Sequence, residues 1–489
     1  MAAQEILNEI SDFCRLAGLA ESTFGRLCVN DGKLVSRLRD GGSVTLDTLA
    51  RLRTFMATHA NDPQALRLRV KKGSRAAPTQ AVLPTQNAAN GESGTALVPA
   101  SKSSVPAAPS NGAGASTEEN FRFFDNRQKY LLFVNTCSEK WVVANRVAME
   151  LGNISPRPPA LRLFDAGVGD GTVLTRVMRA MHARFPTMPF YIVGKEVSLE
   201  DVRLTLDKIP DRFYEHPSTV LVLTNLYYSE APWLSPKSSS AAHSLIWKEV
   251  ALSGNSSHDF EEQLTDLQSF LSENWSAKVS PKTGNPMYDR PIVLTLYRED
   301  HRFLLDPILP RPGRVTADYD LIIASQPYRA RASADFKAKK VIGPLARALG
   351  PGGRLIGIHS SGKDPGLEIV QKVWPGENPF VVDRHALLKS VKIELGAAGR
   401  NLNFNAYSDA RSVFRYDMHT LPGEVVGAIG TSTLFAAWNA AIYVAQIEDN
   451  RLSEVVKNDR YLEATEEVLQ KYGGLWFNDE SFVISRRQP

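Results

Sequence analysis

Leu161-Arg-Leu-Phe-Asp-Ala-Gly-Val-Gly-Asp-Gly171 is the stretch of sequence that decides the fold. Its first four residues are mostly apolar, as in a short buried strand, and the glycines after Asp165 allow the backbone to turn sharply and approach a ligand closely. Helical spacing of apolar residues follows at about 172–185. The stretch therefore predicts a strand, a glycine-rich turn and a helix, whose first free N–H groups favour a carboxylate or a phosphate.

Strand-like and helix-like segments alternate along the chain from residue 121 onward. Strands are predicted at 190–193, 220–223, 291–297, 319–324 and 355–358 and near 411–416 and 441–447, with helices at 200–208, 260–274 and 335–349. Such an alternation predicts an α/β domain in which a mostly parallel sheet is covered by helices on both faces.

Glu196 lies two or three residues beyond the second predicted strand, in Val193-Gly-Lys-Glu196. A nucleotide cofactor at a glycine-rich turn needs a second anchor, an acidic side chain at the end of the second strand that holds the ribose hydroxyls. An acidic residue at a strand end is common by itself. Together with the glycine turn, Glu196 becomes the candidate for this anchor.

The glycine turn resembles the first motif of class I S-adenosylmethionine (SAM) dependent methyltransferases, in which an acidic residue precedes Gly-x-Gly-x-Gly. All four motif positions match, at Asp165, Gly167, Gly169 and Gly171. The resemblance implies a Rossmann-like fold, SAM as the cofactor, the methionine part of SAM in the glycine loop and the ribose on Glu196. It also implies that Thr224 and Asn225, which end the third strand, lie where this family reads the adenine.

The resemblance covers roughly residues 121–489. Ala348-Leu-Gly-Pro-Gly-Gly353 looks like the family's usual turn before the fifth strand, and a long segment at about 229–290 is extra to the minimal fold. Two other interpretations of the glycine turn remain open. One is a dinucleotide site, although its fingerprint is Gly-x-Gly-x-x-Gly and the spacing here differs. The other is a turn with a purely structural role.

Ser325-Gln-Pro-Tyr328 follows the strand predicted at 319–324, at the edge of the sheet where a methyl acceptor must lie beside the cofactor. It resembles the Asn/Asp/Ser-Pro-Pro-Tyr motif of methyltransferases that act on amino nitrogens of adenine, cytosine or glutamine. The resemblance implies that Ser325 and the backbone accept hydrogen bonds from the target amine and that Tyr328 stacks on a planar target. Ser325, Pro327 and Tyr328 are therefore the candidate catalytic residues, whereas Gln326 replaces the first proline of the motif.

An ordinary turn at a strand end is the competing interpretation of Ser325–Tyr328. His359, at the end of the fifth strand, is a candidate base, although a hydrogen-bonded structural histidine is the commoner case. Cys137 lacks a Pro-Cys context, which argues against attack on C5 of cytosine. No group of His, Cys, Asp and Glu residues has the spacing of a metal site, so the sequence predicts no metal.

Residues 4–57 have the apolar spacing of four short helices. The stretch at 21–39 resembles the helix-turn-helix of phage-repressor-like domains, which implies a third helix that reads DNA through Asn30, Lys33, Ser36 and Arg37. Residues 1–75 hold 12 Lys/Arg against 8 Asp/Glu, a small excess that is compatible with a polyanionic partner. A helical bundle for protein contact or dimerisation is the alternative. Because helix-turn-helix modules often work as dimers, a homodimer is a mild expectation.

Residues 73–119 consist largely of Ala, Pro, Ser, Gly, Asn, Thr and Gln, which bury too little apolar surface to offset their chain entropy. They predict a flexible linker between a helical domain at 1–72 and a methyltransferase domain at 120–489. Three scattered cysteines, acidic residues where a signal peptide would be apolar and no apolar run of spanning length predict a cytoplasmic protein with no membrane segment.

Three functions are compatible with these patterns. The first is a SAM-dependent methyltransferase that acts on an amino nitrogen of a nucleic acid, delivered to DNA by residues 1–72. The second is a methyltransferase that acts on a protein or a small molecule, which the nearly neutral charge beyond residue 75 favours. The third is a DNA-binding transcription regulator that senses SAM without catalysis.

Overall fold

The computed structural model describes residues 2–17, 20–29, 31–39, 48, 52, 55–56, 127–280, 286–419, 429–455 and 457–488. The chain divides into two compact units, residues 1–111 and 112–489. The predicted domain boundaries at 72 and 119 lie outside the described residues. The assignment of 73–119 as a linker therefore stays a prediction.

Three helices of the first unit are described, α1 (Ala2–Ala17), α2 (Glu21–Val29) and α3 (Leu34–Arg39). Their apolar side chains, with Ile10, Phe24 and Leu38 among them, form one buried cluster. Asn30 and most of the fourth predicted helix lie outside the described residues. The helix-turn-helix assignment is not confirmed, and it stays a prediction.

The second unit combines twelve described strands with helices placed mostly between them. The strands are β1 (Leu161–Asp165), β2 (Phe190–Lys195), β3 (Thr219–Thr224), β4 (Ile246–Leu252), β5 (Ala277–Val279), β6 (Pro286–Tyr288), β7 (Ile292–Arg298), β8 (Tyr319–Ser325), β9 (Leu349–Ser360), β10 (Leu402–Asn405), β11 (Val413–Asp417) and β12 (Trp476–Arg486). The helices are α4 (Arg127–Thr136), α5 (Glu139–Ala148), α6 (Thr172–Arg184), α7 (Leu199–Lys208), α8 (Pro210–Glu215), α9 (Ser239–His243), α10 (Ser257–Thr265), α11 (Leu267–Asn274), α12 (Arg302–Leu305), α13 (Ala334–Lys337), α14 (Gly343–Arg347), α15 (Pro365–Val373), α16 (Arg384–Leu395), α17 (Asp409–Ser412), α18 (Thr431–Val444), α19 (Asp449–Val455) and α20 (Arg460–Tyr472).

Ten of these strands form one sheet in the order β10-β12-β9-β8-β1-β2-β3-β7-β4, with β11 also paired to β12. The five inner strands, from β9 to β3, run parallel to one another. β12 is antiparallel to β9, and β7 is antiparallel to β3. The chain moves outward from β1 through β2 and β3, and then returns to the other side of β1 as β8 and β9. In open α/β sheets such a reversal is where ligands bind, outside the carboxyl ends of the strands.

Both faces of the sheet are covered, which confirms the expected α/β class. Leu163 and Phe164 are neighbours in β1, yet each belongs to a different buried apolar cluster, because side chains alternate between the faces of a strand. Leu174 of α6 packs in the first cluster, and Leu387 of α16 packs in the second. Because the sheet is covered on both faces, β3 and β7 are buried at every position, and most of their residues are accordingly apolar.

Two sequence predictions about this unit need correction. The strand expected at 441–447 is wrong, because residues 441–444 end α18 and residues 445–447 form the turn after it. A short apolar run does not distinguish a buried helix from a buried strand. The helix expected at 335–349 is interrupted by a π-helical turn at Ala338–Ile342 between α13 and α14. The extra segment at 229–290 contributes β4, α10 and α11 and the antiparallel β5–β6 pair.

Candidate functional site

A cavity of about 1260 Å³ lies at the carboxyl edge of the parallel strands, where the chain reverses direction beside β1. Segments that follow five strands contribute to its wall. These are Ala166, Gly167 and Gly169 after β1, Lys195–Ser198 at the end of β2, Asn225 and Tyr227–Ser229 after β3, Ser325–Tyr328 at the end of β8 and Ser360 at the end of β9. The structure thus brings together the glycine turn, Glu196 and the Ser325–Tyr328 segment that sequence reasoning selected separately.

The three motif glycines occupy different surroundings. A Cβ atom on Gly167 would meet no heavy atom within 4 Å, so this residue borders open space. Gly169 has φ +56 and Gly171 has φ +80, a region that side chains other than glycine rarely adopt. A Cβ atom on Gly171 would come within 2.9 Å of Thr205 in α7. Gly171 is absent from the cavity wall, so its described role is to start α6 and to pack against α7.

Glu196 joins the end of β2 to the glycine turn. Its Oε2 accepts a hydrogen bond from the Gly169 N–H at 2.9 Å. Its Oε1 accepts from the N–H groups of Val197 at 2.7 Å and Ser198 at 2.9 Å. A carboxylate has about four lone-pair directions, so the three bonds leave capacity for one further donor, such as a ligand hydroxyl.

Carboxyl groups outnumber cations at this end of the cavity. Around Glu196 the wall carries Glu139, Glu196, Glu200 and Asp201 against Lys140 and Lys195, whereas the other cations of the wall come from residues beyond β8: Arg329, Arg331, Lys340 and Arg451. Burial raises the pKa of Asp165, directly behind the wall, to about 7, and the charge of Glu196 adds to the rise. Burial and the charge of Asp201 likewise raise the pKa of Glu196. A cationic ligand would relieve this repulsion, whereas a pyrophosphate would increase it.

Asp170 behaves differently from Asp165. Its carboxylate accepts hydrogen bonds from Lys208 Nζ and Thr172 Oγ1, both at 2.6 Å. Although burial opposes ionisation, Lys140, Lys208 and Thr172 together keep the pKa of Asp170 below its ordinary value. Asp170 is therefore an ionised anchor for the start of α6.

The side chains of Thr224 and Asn225 form hydrogen bonds within the sheet, and the expectation that these residues lie beside the adenine stays a prediction. Thr224 Oγ1 donates to the Ile292 carbonyl at 2.7 Å. Asn225 donates through Nδ2 to the Arg290 carbonyl and accepts through Oδ1 from the Ile292 N–H, both at 2.8 Å. These side chains therefore hold the extra strand β7 against the end of β3. Of the two, only Asn225 borders the cavity.

Gln326 has φ +48, the left-handed region of the backbone. Its side chain holds this conformation by donating to Ser360 Oγ at 3.0 Å and to Asp479 Oδ1 at 3.2 Å. Proline is restricted to φ near −65° and has no N–H. The Gln326 backbone N–H, however, donates to the Ile358 carbonyl at 2.9 Å. The segment therefore differs from the Pro-Pro motif in its backbone as well as in its sequence.

Pro327 and Tyr328 are both buried at the base of the cavity wall. The Pro327 carbonyl accepts a hydrogen bond from Tyr228 Oη at 2.9 Å. Tyr328 is 6% exposed, and its Oη lies 2.9 Å from His359 Nδ1. The ammonium of Lys337 lies 4.8 Å from the centre of the Tyr328 ring. Lys337 thus contacts the ring of Tyr328, and His359 lies within hydrogen-bonding distance of its hydroxyl.

Several cavity residues escaped sequence reasoning. Tyr130 of α4 and Glu139 and Lys140 of α5 precede the glycine motif, whereas Tyr443 and Gln446 come from the end of α18 and the turn after it. Each sits in a helix or loop whose sequence carries no motif, so no local signal could have found it. The extra segment adds Pro286, Met287 and Tyr288 to the wall, and the Tyr288 ring centre lies 4.7 Å from that of Tyr227.

The other sequence-predicted residues lie in the first unit. Lys33, Ser36 and Arg37 are exposed, and Arg37 forms an ion pair with Asp31 at 2.6 Å. Across the residues that the structure describes, no three His, Cys, Asp or Glu side chains are grouped so that they could hold a metal ion. In that same part of the chain, none of the helices combines the length and the apolar character that crossing a bilayer requires.

No protein-family model matches the chain, and no curated protein matches it either. Among solved structures it is similar to a protein from Galdieria sulphuraria provisionally named sarcosine dimethylglycine methyltransferase, with 12% identity over 71% of this chain and 85% of that one and a TM-score of 0.26. A geranyl diphosphate methyltransferase in complex with GPP and sinefungin has 11% identity over 70% of this chain and 78% of that one, with a TM-score of 0.26.

A third similar structure is a phosphoethanolamine N-methyltransferase from Haemonchus contortus bound to S-adenosylhomocysteine. It has 10% identity and a TM-score of 0.24 over 71% of this chain, which spans about half (53%) of that protein. Similarities of this size identify neither a family nor a substrate. Functional proposals for this chain therefore rest on the geometry of its own site.

Proposed function

We propose that residues 120–489 form a methyltransferase domain that takes its methyl group from SAM. One hydrogen bond carries this proposal: the Gly169 N–H donates to Glu196 and so joins the glycine turn to the end of β2. Around this bond, carboxyl groups outnumber cations in the cavity wall. SAM carries a sulfonium and an ammonium, so this end suits it electrostatically. The pyrophosphate of a dinucleotide would be repelled there.

The residues present fit SAM in further respects. Gly167 borders open space that a side chain would fill, and Glu196 retains capacity to accept a hydrogen bond from a ribose hydroxyl. Asn225 lies at the end of β3, where its backbone rather than its side chain is available to an adenine. A volume of about 1260 Å³ exceeds the usual range of a single ligand pocket, up to about 1,000 Å³, and leaves room for an acceptor beside the cofactor.

Catalysis in such a site is mainly positional. SAM supplies an already activated methyl group, so the protein has to align the acceptor's lone pair with it and exclude water. Ser325, Pro327 and Tyr328 lie at the end of β8, next to the glycine turn after β1, and are the residues proposed to position the acceptor. The left-handed Gln326 argues against a simple copy of nucleobase amino methylation, so a protein or small-molecule acceptor remains the alternative.

The experiment that tests the proposal is SAM binding by Gly167→Val, measured by isothermal titration calorimetry. A Cβ atom here meets no heavy atom within 4 Å and the residue needs no left-handed backbone, so the fold should persist while the added side chain occupies cofactor space. We expect SAM affinity to fall at least about 100-fold, roughly 2.7 kcal/mol.

The matched control is Gly152→Val, since Gly152 is exposed and also has open space around it. This variant should bind SAM as the wild type does. Wild-type affinity in Gly167→Val would refute the placement of the cofactor, and equal losses in both variants would show an effect on folding rather than on the site.

A second candidate function concerns the first unit. α3 buries Leu34, Val35 and Leu38 and leaves Ser36 and Arg37 exposed, so it presents a polar face of the kind a recognition helix uses. This observation favours the DNA-binding hypothesis for residues 1–72. The Arg37–Asp31 ion pair would have to open for Arg37 to contact a phosphate or a base.

A further inference from the structure

A chain of buried hydrogen bonds leads from the acceptor side of the cavity into the sheet. Tyr328 Oη lies 2.9 Å from His359 Nδ1, and His359 Nε2 lies 2.8 Å from Glu480 Oε1. Arg384 Nη1 donates to Glu480 Oε2 at 2.6 Å. The exposed fractions of these four residues are 6%, 4%, 3% and 4% along the chain. Buried polar groups cost stability compared with apolar packing, so a fully bonded network beside a candidate site calls for a functional explanation.

The proton positions along this network follow from its charges. Burial opposes the ionisation of Glu480, but His359 and Arg384 outweigh it and hold the pKa of Glu480 at about 2. The ionised Glu480 can only accept, so His359 Nε2 carries a proton. Burial lowers the pKa of His359, which keeps the ring neutral and leaves a lone pair on Nδ1. Tyr328, whose pKa burial raises, therefore donates its phenolic proton to Nδ1.

The groups that face His359 are of both signs. Glu480 and Asp383 favour a charged ring, and Lys337 of α13 disfavours it. Burial lowers the pKa of Lys337 to about 8, and its ammonium donates to the Ala330 carbonyl at 2.9 Å. The His359 ring is thus neutral before the reaction. The adjacent carboxylate of Glu480 can stabilise a positive charge that forms on the ring during the reaction.

Tyr328 lines the cavity, and because it donates its only proton to His359, the remaining lone pair of its oxygen can only accept. We propose that Tyr328 Oη accepts the proton that the methyl acceptor loses and passes its own proton to His359, with Glu480 and Arg384 as positioning residues. This inference rests on the proposed methyltransferase function. It assigns the acceptor atom to a nitrogen or an oxygen that bears a hydrogen.

The step balances without another reactant. The acceptor's lone pair forms the new bond to the methyl carbon, and the electrons of the broken carbon–sulfur bond stay on sulfur. The acceptor's N–H or O–H proton moves to Tyr328 Oη as the phenolic proton moves to His359 Nδ1. The imidazolium then lies against Glu480, and it returns its proton through Tyr328 to solvent after the product leaves.

The decisive variant is Tyr328→Phe, which keeps the ring and removes the hydroxyl. Its matched control is Tyr319→Phe at the opposite end of β8, where a buried hydroxyl donates to the Pro232 carbonyl at 2.9 Å. Tritiated-methyl SAM is incubated with full-length protein and cell extract, and the extract fraction that takes up label serves as the acceptor. We expect kcat to fall about 100-fold or more in Tyr328→Phe, the usual size of a general-base contribution, with SAM affinity unchanged.

A second measurement uses the protein alone. In samples labelled with ¹⁵N-histidine, His359 should show the tautomer protonated at Nε2, and its Nδ1 signal should shift in Tyr328→Phe but not in Tyr319→Phe. A kcat of Tyr328→Phe within about threefold of the wild type would overturn the relay while leaving the methyltransferase proposal standing. The relay is equally overturned by the opposite tautomer of His359, or by label found as S-methyl or carbon-bound methyl. Label in no fraction would instead defeat the methyltransferase proposal, and the relay with it.

Discussion

A Cβ atom on Gly171 would collide with Thr205 at 2.9 Å, whereas a Cβ atom on Gly167 would meet no heavy atom within 4 Å. At the scale of single residues, a motif of identical glycines thus serves two purposes: access for a ligand and close packing of α6 against α7. The choice of Gly167 rather than Gly169 or Gly171 for the binding test follows from this difference. Substitution at either of the other two glycines would strain the backbone as well.

The buried carboxyl group of Asp165 is a second feature at the scale of single residues. It predicts that the stability of the fold depends on pH. Burial raises its pKa from 3.8 to about 7, so the folded state prefers the protonated form. The stability that this preference contributes is fully present below about pH 4 and is lost as the pH rises through about 7. We therefore expect the free energy of unfolding of Asp165→Asn, measured in urea, to rise relative to that of the wild type as the pH increases from 4.5 to 8, by up to about 4 kcal/mol.

The control for this measurement is Asp306→Asn, which removes a carboxylate from an exposed position at the end of α12. Its free energy of unfolding should follow that of the wild type across the same pH range. Parallel curves for Asp165→Asn and the wild type would show that the buried carboxyl group is not destabilised.

At the scale of elements, the first half of strand β12 and the end of strand β9 support the acceptor side of the site. Asp479 and Glu480 of β12 pair in register with Ser360 and His359 of β9. From these positions Asp479 and Ser360 hold Gln326, and Glu480 and His359 hold Tyr328. An antiparallel strand that contributes no residue to the cavity wall therefore determines the shape of the loop that does.

Gln326→Pro tests this support by restoring the proline of the motif that the loop resembles. Proline cannot adopt φ +48 and cannot donate to the Ile358 carbonyl, so we expect a loss of about 3 kcal/mol in the free energy of unfolding. Gln326→Gly keeps the backbone conformation and the N–H, so its free energy of unfolding should fall by less than that of Gln326→Pro. Thermal unfolding of both variants makes the comparison, and equal stability of Gln326→Pro and the wild type would contradict the described loop.

At the scale of the whole molecule, every residue that lines the cavity comes from the second unit. The basic excess of the chain, by contrast, lies in the first 75 residues. We therefore expect the second unit to bind the cofactor without the first unit, and we expect any contact with a polyanion to require the first unit.

A shortened chain, residues 112–489, tests that division. It should bind SAM within about twofold of the full-length affinity, because it retains the whole cavity wall. Full-length protein should bind duplex DNA with a salt-dependent affinity that the shortened chain lacks. Fluorescence anisotropy with labelled DNA at several salt concentrations makes the comparison, and equal DNA affinity of the two chains would refute the DNA-binding hypothesis for residues 1–72.

Local patterns in the sequence were sufficient for the glycine turn, for Glu196 at the end of β2 and for the inner strands of the sheet. Apolar periodicity and glycine spacing are properties of neighbouring residues, so they can be recognised without knowledge of the fold. The same patterns failed at 441–447, where burial in a helix and burial in a strand demand the same apolar residues.

Partners that lie far apart in the chain were decided by tertiary structure alone. Thr224 and Asn225 end the third strand as the sequence indicates, yet the pairing of β3 with β7 engages their side chains. Tyr328 meets His359 and Glu480 only because β8, β9 and β12 are adjacent in the sheet, and Glu480 lies 152 residues further along the chain. The sequence by itself determined that the glycine turn and Glu196 follow neighbouring strands, whereas the packing of distant strands determined which polar groups around them already have protein partners.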